Sequence, residues 1–208
     1  MPPLSGFRQG RHPVMEAISL IVGLGNPGSE YARTRHNAGF WFIDALAEKY
    51  QARWNTDKKL QAETAKITVA GHAIHLLKPL TFMNVSGRPV VAGLHYWKVD
   101  PAACLLAHDE LDLAPGTVRL KFDGGHGGQN GLRDTMAQLG HGGFHRLRIG
   151  IGHPGHKDKV TPWVLGRPGA DDAVAIGQAV EAAIGIVPLL AEGRFNDAMK
   201  QLHTPPAK

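Results

Sequence analysis

The amino-acid sequence predicts an α/β fold, because strands of the buried type alternate along the chain with amphipathic helices. Residues 18–25 (ISLIVGLG) and 102–108 (AACLLAH) are continuous apolar runs, typical of strands that are covered on both faces. Residues 38–50 carry apolar side chains at helical spacing with charged side chains between them. The chain has 208 residues, 43% of them hydrophobic, and no long linker divides it, so we expect a single domain over residues 18–208.

Shorter patterns predict the remaining elements. Alternation and helical periodicity place, in order, a hairpin of residues 64–70 and 73–78, a helix over 87–98, strands near 118–122 and 146–149, a helix ending near 139, and helices over 170–191 and 195–203. We expect Asn37 to cap the helix over 38–50 and Ser86 to cap the helix over 87–98, since both residue types favour the N-cap position.

The composition indicates the class of protein and its surroundings. The net charge of +5 suits a polyanionic partner such as nucleic acid, but it also suits mere solubility. The single cysteine, Cys104, lies in an apolar run and excludes an intramolecular disulfide framework, so we expect a reducing, cytoplasmic setting. The uninterrupted apolar runs are far shorter than the ~20 residues that span a bilayer, so we expect no membrane segment. Residues 1–17 have no apolar core of a secretory signal and are expected to be a disordered extension.

The first strand ends in glycines that match the dinucleotide-binding fingerprint G-x-G-x-x-G, at Gly23, Gly25 and Gly28. That fingerprint requires a helix to open at the glycines, whereas here a turn continues beyond Gly28 and the helix begins near residue 38. A nucleotide-dependent enzyme therefore stays only as an alternative. We favour a tight turn that presents Asn26 at the carboxyl edge of the sheet, where open α/β sheets bind ligands.

A histidine and an acidic residue follow the two apolar strands. His36 lies in the loop after the first strand, and Asp109 lies in the HDELD segment after the second. If the strands are parallel, their carboxyl ends share an edge, and Asp109 could reach His36. A histidine with a reference pKa of about 6.5 can accept a proton near neutral pH when a carboxylate holds its other ring nitrogen. A solvated loop histidine and an acidic surface turn are the alternative interpretation.

Amides, glycines and cations supply further candidate contacts. Asn84 and Asn130 each precede or begin a predicted helix, where they could cap it or could bind an amide-rich ligand such as a peptide. The segment GGHGGQNG would let backbone approach a ligand closely. Two pairs at i,i+2 spacing, Arg119 with Lys121 and Arg146 with Arg148, face one side of their strands. They are either solvated strand faces or, if they converge, a phosphate-binding patch.

Other hydrolase designs find little support in the sequence. None of the serines lies in a G-x-S-x-G motif, so a serine nucleophile elbow is absent. The segment HPGHKD contains His153 and His156, but its spacing matches no zinc signature that we can justify. We therefore expect no metal and no cofactor.

Five segments together resemble the bacterial-type peptidyl-tRNA hydrolase family, in its order and spacing. They are LIVGLGNPGSEYARTRHNAGFWFIDALA, LLKPLTFMNVSG, LLAHDELDLAPG, GGHGGQNGLRD and FHRLRIGIGHPG. The resemblance implies a single α/β domain with a twisted mixed β-sheet flanked by α-helices. It also implies a monomer that hydrolyses the ester joining a peptide, or an N-blocked amino acid, to tRNA and so frees tRNA for reuse in translation, without a membrane partner.

The resemblance assigns roles residue by residue. His36 resembles the general base, Asp109 the carboxylate that orients it, and Asn26 the asparagine that distinguishes peptidyl from free aminoacyl substrates. The substrate-binding positions that match are Tyr31, Phe82, Asn84 and Asn130, with Met83 beside them. Lys121 and Arg148 match the pair that binds the 5′-phosphate of tRNA.

Two features set this sequence apart from the family pattern. Gln129 stands where bacterial members commonly have histidine, which bears on the hydrogen bonds around Asn130. The amino-terminal extension has no counterpart in the family pattern.

A non-catalytic RNA-binding relative of the same fold is the main rival function. The retained His36, Asp109 and asparagines favour an enzyme.

Overall fold

A seven-stranded mixed β-sheet forms the centre of the protein, as the computed structural model describes it over residues 16–203. The strands are β1 (Leu20–Gly23), β2 (Asn55–Asp57), β3 (Ala62–Val69), β4 (His72–Pro79), β5 (Cys104–Glu110), β6 (Val118–Phe122) and β7 (His145–Gly150). Their spatial order is β2-β3-β4-β1-β5-β7-β6. The α/β fold with helices on a mixed sheet is confirmed. The extension predicted over residues 1–17 lies outside the described residues, apart from Glu16 and Ala17.

The strand pairing places the carboxyl ends of four parallel strands at one edge of the sheet. Strand β1 pairs in parallel with β4 on one side and with β5 on the other, and β5 pairs in parallel with β7. The outer pairs β2–β3, β3–β4 and β6–β7 are antiparallel. The carboxyl ends of β1, β4, β5 and β7 therefore lie at the same edge, which is where open α/β sheets bind ligands.

Helices cover both faces of the sheet. They are α1 (Ala38–Lys49), α2 (Gly87–Tyr96), α3 (Asn130–Leu139), α4 (Val160–Val164), α5 (Ala170–Gly185), α6 (Val187–Ala191) and α7 (Phe195–His203). The larger core cluster joins α1, α5, α6 and α7 to one face, and the smaller joins α2 and α3 to the other. Successive residues of β5 alternate between the two clusters: Leu105 lies in the larger one and Leu106 in the smaller.

Helices α5 and α6 follow one another closely and form an apolar segment, Ala170–Ala191, of 22 residues. By length and composition it could cross a membrane, contrary to the expectation drawn from uninterrupted apolar runs. This is weak evidence for a membrane segment, because the core helix of a soluble protein passes the same test and 44% of the apolar window is buried inside the molecule. Ile176, Val180 and Ile184 form the buried side of this segment in the larger core.

Neither predicted N-cap forms. The side chain of Asn37 makes no capping bond to α1 and instead binds the backbone of Asn26. The hydroxyl of Ser86 donates to the carbonyl of Met83 at 2.7 Å. The first N–H of α2, on Gly87, donates to Oδ2 of Asp134 on α3 at 2.7 Å. The side chains of Asn37 and Ser86 thus bond elsewhere. The first N–H of α2 is satisfied by Asp134, a residue distant in sequence, and not by Ser86.

Helix α1 lies unusually close to the sheet at Gly39. A Cβ atom at this position would overlap the backbone oxygens of Ala107 on β5 and of Leu24 just beyond β1. Only glycine permits such an approach of two backbones. The first turn of α1, which follows the 3₁₀ turn that carries His36, is thereby seated against the strand that carries Asp109.

Candidate active site

The structure brings His36 and Asp109 together at the carboxyl edge of the sheet. His36 lies in a 3₁₀ turn, Arg35–Asn37, that leads into α1, and Asp109 is the penultimate residue of β5. Nδ1 of His36 and Oδ2 of Asp109 are 2.8 Å apart. The side chain of Asp109 is 3% exposed, whereas that of His36 is 12% exposed. The carboxylate is thus enclosed while part of the imidazole reaches the surface.

Two opposing effects act on the pKa of His36. Burial lowers the pKa because it disfavours the charged imidazolium, while the charge of Asp109 and the hydrogen bond to it raise the pKa. The net shift is upward from the ordinary value of 6.5. The ring therefore has the proton affinity of a base while its carboxylate partner fixes its orientation.

Gln129 is a member of this site that the sequence did not predict. Its Nε2 donates to Oδ1 of Asp109 at 3.0 Å, so both carboxylate oxygens have a partner. Its Oε1 accepts the N–H of Leu132 at 2.8 Å and thereby caps α3. The only sequence signal was the departure from the family histidine at this position.

Asn26 is held in place by Asn37 and Met83. Its N–H donates to Oδ1 of Asn37 at 2.9 Å, and its carbonyl accepts from Nδ2 of Asn37 at 3.0 Å. Its Oδ1 accepts the N–H of Met83 at 2.7 Å. With Oδ1 occupied by Met83, the donor end of this side chain is its Nδ2 amide group.

The turn that carries His36 is anchored from the far end of the chain. The guanidinium carbon of Arg35 lies 3.6 Å from the ring centroid of Trp163 on α4, and Nη1 donates to the carbonyl of Trp163 at 3.1 Å. The N–H of Arg35 donates to the carbonyl of Gly166 at 3.0 Å. Sequence reasoning missed this contact, because no local pattern pairs residues so far apart.

The expected substrate-binding residues divide into exposed and buried ones. Phe82 is 54% exposed and makes an edge contact with Tyr31, their ring centroids 5.9 Å apart. Asn84 and Asn130 are exposed, and Oδ1 of Asn130 accepts from Arg133 at 3.1 Å. Met83 is 3% exposed, and its sulfur accepts from Gln129. Burial places Met83 behind the exposed residues, where it supports Asn26 and Gln129.

The basic residues of β6 and β7 do not all converge on the surface. Lys121 and Arg119 are exposed. Arg148 lies opposite Arg119, and its Nε donates to Oε1 of Glu110 at 2.7 Å. Arg146 is buried and donates to the carbonyls of Gly124, Gly125 and Gly142, so it organises the glycine-rich loop and is not part of a surface patch.

Residues 16–203 contain no arrangement that supports a dinucleotide-binding site or a metal site. Helix α1 begins at Ala38, after several turns beyond Gly28, so no helix opens at the glycine pattern. Among residues 16–203, no group of three or more His, Cys, Asp or Glu side chains could hold a metal ion. In the HPGHKD loop, His153 and His156 each accept a backbone N–H from within their own loop.

Comparison with known proteins identifies consistent relatives. The family model described as Peptidyl-tRNA hydrolase matches residues 20–208. A peptidyl-tRNA hydrolase of Xanthomonas campestris pv. campestris is 69% identical over 191 residues, which cover 92% of this chain and 99% of the relative. One of Stenotrophomonas maltophilia is 66% identical over 191 residues, covering 92% and 100%. The crystal structure of peptidyl-tRNA hydrolase from Acinetobacter baumannii matches with a TM-score of 0.88 at 49% identity, over 93% of this chain and 97% of that one.

Proposed function

Since this chain belongs to the peptidyl-tRNA hydrolase family, and is thus an enzyme that cleaves the ester between peptide and tRNA, we propose that His36 is its general base. The observation that carries the proposal is the 2.8 Å contact between Nδ1 of His36 and Oδ2 of Asp109 at the carboxyl edge of the sheet. A partly exposed histidine paired with an enclosed carboxylate is an arrangement that suits general-base hydrolysis.

The proposed reaction proceeds in two steps without a covalent enzyme intermediate. The His36 proton resides on Nδ1 and is donated to Asp109, so Nε2 carries the lone pair that accepts a proton from water. The water oxygen then bonds to the ester carbonyl carbon and forms a tetrahedral intermediate. When the bond to the 3′-oxygen of tRNA breaks, the imidazolium returns its proton to that oxygen. Peptide acid and free tRNA leave, and His36 is again neutral.

Asparagines and aromatic rings would hold the peptide end of the substrate. Asn84 and Asn130 are exposed and can exchange hydrogen bonds with peptide N–H and carbonyl groups. The exposed ring of Phe82, with Tyr31 against its edge, offers an apolar surface to the peptide side chains. Met83 contributes to this site from behind, through its bond to Asn26.

Asn26 would distinguish peptidyl-tRNA from free aminoacyl-tRNA. Its backbone and Oδ1 are fixed by Asn37 and Met83, so the remaining amide donor has a defined position at the cleft. That donor can bond an acceptor of a blocked, uncharged amino end. A free α-ammonium at the same place would lose its hydration without gaining an acceptor, which is costly.

Lys121 and Arg148 would bind the 5′-phosphate of tRNA. In the β6–β7 register Lys121 lies diagonally from Arg148, a relationship of roughly 7–8 Å between backbones that one phosphate group can bridge with long side chains. Glu110 already pairs with Arg148, so a phosphate would share that guanidinium with it. Arg119 lies beside both and adds charge to the same strand face.

We place this enzyme in the cytoplasm as a monomer of one domain, residues 18–208, that returns tRNA to translation after peptidyl-tRNA has left the ribosome. The decisive experiment follows hydrolysis of an N-acetylated aminoacyl-tRNA by the full chain in the presence of a chelator. We expect release of the N-acetyl amino acid and intact tRNA. Binding of the tRNA without hydrolysis would support the rival, a non-catalytic RNA-binding protein, and would contradict the general-base mechanism.

A further inference from the structure

The amide of Gln129 links three parts of the active site. Nε2 lies 3.0 Å from Oδ1 of Asp109 and 3.2 Å from the sulfur of Met83, and Oε1 accepts the N–H of Leu132 at 2.8 Å. We propose that Gln129 is a positioning residue that fixes the Asp109 carboxylate for His36. The proposal rests on the general-base role of His36.

Gln129 restricts rotation of the Asp109 carboxylate. Asp109 is 4% exposed, so an unpartnered oxygen would be costly and would also leave the group free to turn about its terminal bond. The bond from Gln129 to Oδ1 removes both problems, because rotation that carried Oδ2 away from His36 would break it. The hydrogen bond at Oδ1 thereby fixes the direction of Oδ2 toward His36.

The amide of Gln129 has one favourable orientation. If the amide of Gln129 were turned over, its oxygen would face Oδ1 of Asp109 and its NH₂ group would face the N–H of Leu132. Both contacts would be repulsive, so the cap of α3 and the carboxylate together allow one orientation only. Helix α3 begins at Asn130, a proposed substrate-binding residue. The amide of Gln129 therefore connects this helix, through Asp109, to His36.

Gln129 donates to the carboxylate without adding a charge of its own, so this bond persists over the pH range in which His36 changes its protonation. The titratable or charged groups on the elements that meet at the end of β5 are His36 on the 3₁₀ turn, His108 and Glu110 on β5 itself, and Arg148 on β7, which pairs with Glu110. His126 precedes Gln129 in the glycine-rich loop, and Arg133 and Asp134 follow it on α3.

Two substitutions separate positioning from helix capping. Gln129→Asn keeps a strong N-cap but is one methylene too short to reach Asp109 from the cap position. Gln129→Glu keeps length and cap oxygen but sets a second carboxylate against the first. Gln138→Asn, at an exposed site on the same helix, is the matched control. Hydrolysis of N-acetylaminoacyl-tRNA is measured from pH 5 to 9, and His36 is titrated by NMR without substrate.

For Gln129→Asn we expect kcat to fall about tenfold, the worth of a hydrogen bond to a charged group, with KM changed less than about twofold and Tm near that of the wild type. For Gln129→Glu we expect the added charge to raise the pKa of His36, so that the acid limb of kcat/KM and the NMR titration both move about one pH unit upward. Gln138→Asn should change neither.

Wild-type kcat and an unchanged His36 titration in both Gln129 variants would overturn the proposal, as would changes confined to Tm or KM. The NMR titration separates this failure from failure of the proposed mechanism. If His36→Ala still hydrolyses the substrate, the general-base role is lost, whatever the Gln129 variants show. If His36→Ala is inactive and the titration does not respond, only the positioning role is lost.

Discussion

The side-chain amide of Asn37 binds both backbone groups of Asn26, with Oδ1 2.9 Å from the N–H nitrogen and Nδ2 3.0 Å from the carbonyl oxygen. Asn37 directly follows His36, and Asn26 lies in the loop after β1. The residue proposed to read the amino end of the substrate and the residue proposed to activate water thus share one rigid support. A shift of the backbone at Asn26 or at Asn37 would therefore move both proposed site residues.

Replacing His36 by alanine should lower kcat by about 10²- to 10⁴-fold, the usual contribution of a general base. His36 is partly exposed and lies outside the two core clusters, so the fold should persist. Single-turnover hydrolysis of N-acetylaminoacyl-tRNA measures the change, and circular dichroism checks the fold. Turnover equal to the wild type would eliminate His36 as the base.

The pH dependence should follow the raised pKa of His36. Only the neutral ring can accept a proton, so kcat/KM of the wild type should fall as the pH drops through a value above 6.5. Asp109→Asn removes the attraction that raises this pKa and leaves the effect of burial, so its acid limb should move below 6.5. The maximal rate should also fall, by about 10²- to 10⁴-fold, because a neutral partner no longer stabilises the imidazolium. An acid limb that stays in place would contradict the assigned pairing.

The variant Asn26→Asp should lose selectivity for blocked substrates. An aspartate can still accept the N–H of Met83, so the loop should keep its shape. A carboxylate oxygen replaces the free amide donor and would attract an α-ammonium, so the ratio of kcat/KM for N-acetylated over free aminoacyl-tRNA should fall at least about tenfold. Parallel assays on the two esters of one tRNA measure it. An unchanged ratio would remove Asn26 from substrate discrimination.

Lys121→Ala should weaken tRNA binding and reduce the slope of log Kd against log salt by roughly one unit, since one phosphate contact is lost. Binding is measured by fluorescence anisotropy with 5′-phosphorylated and 5′-dephosphorylated tRNA. The variant and the wild type should bind the dephosphorylated tRNA equally. Lys66→Ala, an exposed lysine on β3, serves as the control. An equal loss on both tRNAs would place Lys121 elsewhere on the RNA.

Acid sensitivity of the fold should depend in part on His145. Its ring is buried between Phe122 and Phe195, with centroids 4.6 and 4.3 Å away, and burial lowers its pKa to about 4. The unfolded chain binds a proton near pH 6.5, whereas the folded chain resists it until about pH 4, so this residue makes stability decline across that window as the pH falls.

For His145→Phe, the fall in the free energy of unfolding between pH 7 and pH 5 should be about 2 kcal/mol smaller than in the wild type. Urea unfolding at both pH values gives the comparison. His72→Gln, at an exposed position on β4, should behave as the wild type does. A wild-type decline in His145→Phe would mean that other groups govern acid unfolding.

Local patterns predicted most of the elements. The helix expected over residues 38–50 is Ala38–Lys49, and the expected hairpin is β3 with β4. The sequence also indicated that Asp109 could reach His36 if their strands were parallel, and β1 and β5 are parallel neighbours whose ends share an edge. Periodicity and topology were sufficient for these features since each depends on a short stretch of chain or on strand direction.

Other features could not be read from the sequence, because tertiary contacts decide them. Gln129 reaches Asp109 across 20 positions, and Arg35 reaches Trp163 across 128. Alternation along β7 placed Arg146 and Arg148 on one face but could not show that Arg146 turns inward to bind loop carbonyls. The polar strand Asn55–Asp57 has no hydrophobic pattern, and its pairing with β3 defines it.

The close seating of α1 at Gly39 means that a missing methyl group helps to set the distance between His36 and its carboxylate. Replacing a helical glycine by alanine is a routine way to make proteins more heat-resistant. At this position the added carbon would have to lift the helix from β5, and the turn that precedes the helix would be displaced with it. The packing that holds the active site in place thus excludes a substitution that would stabilise the helix in isolation.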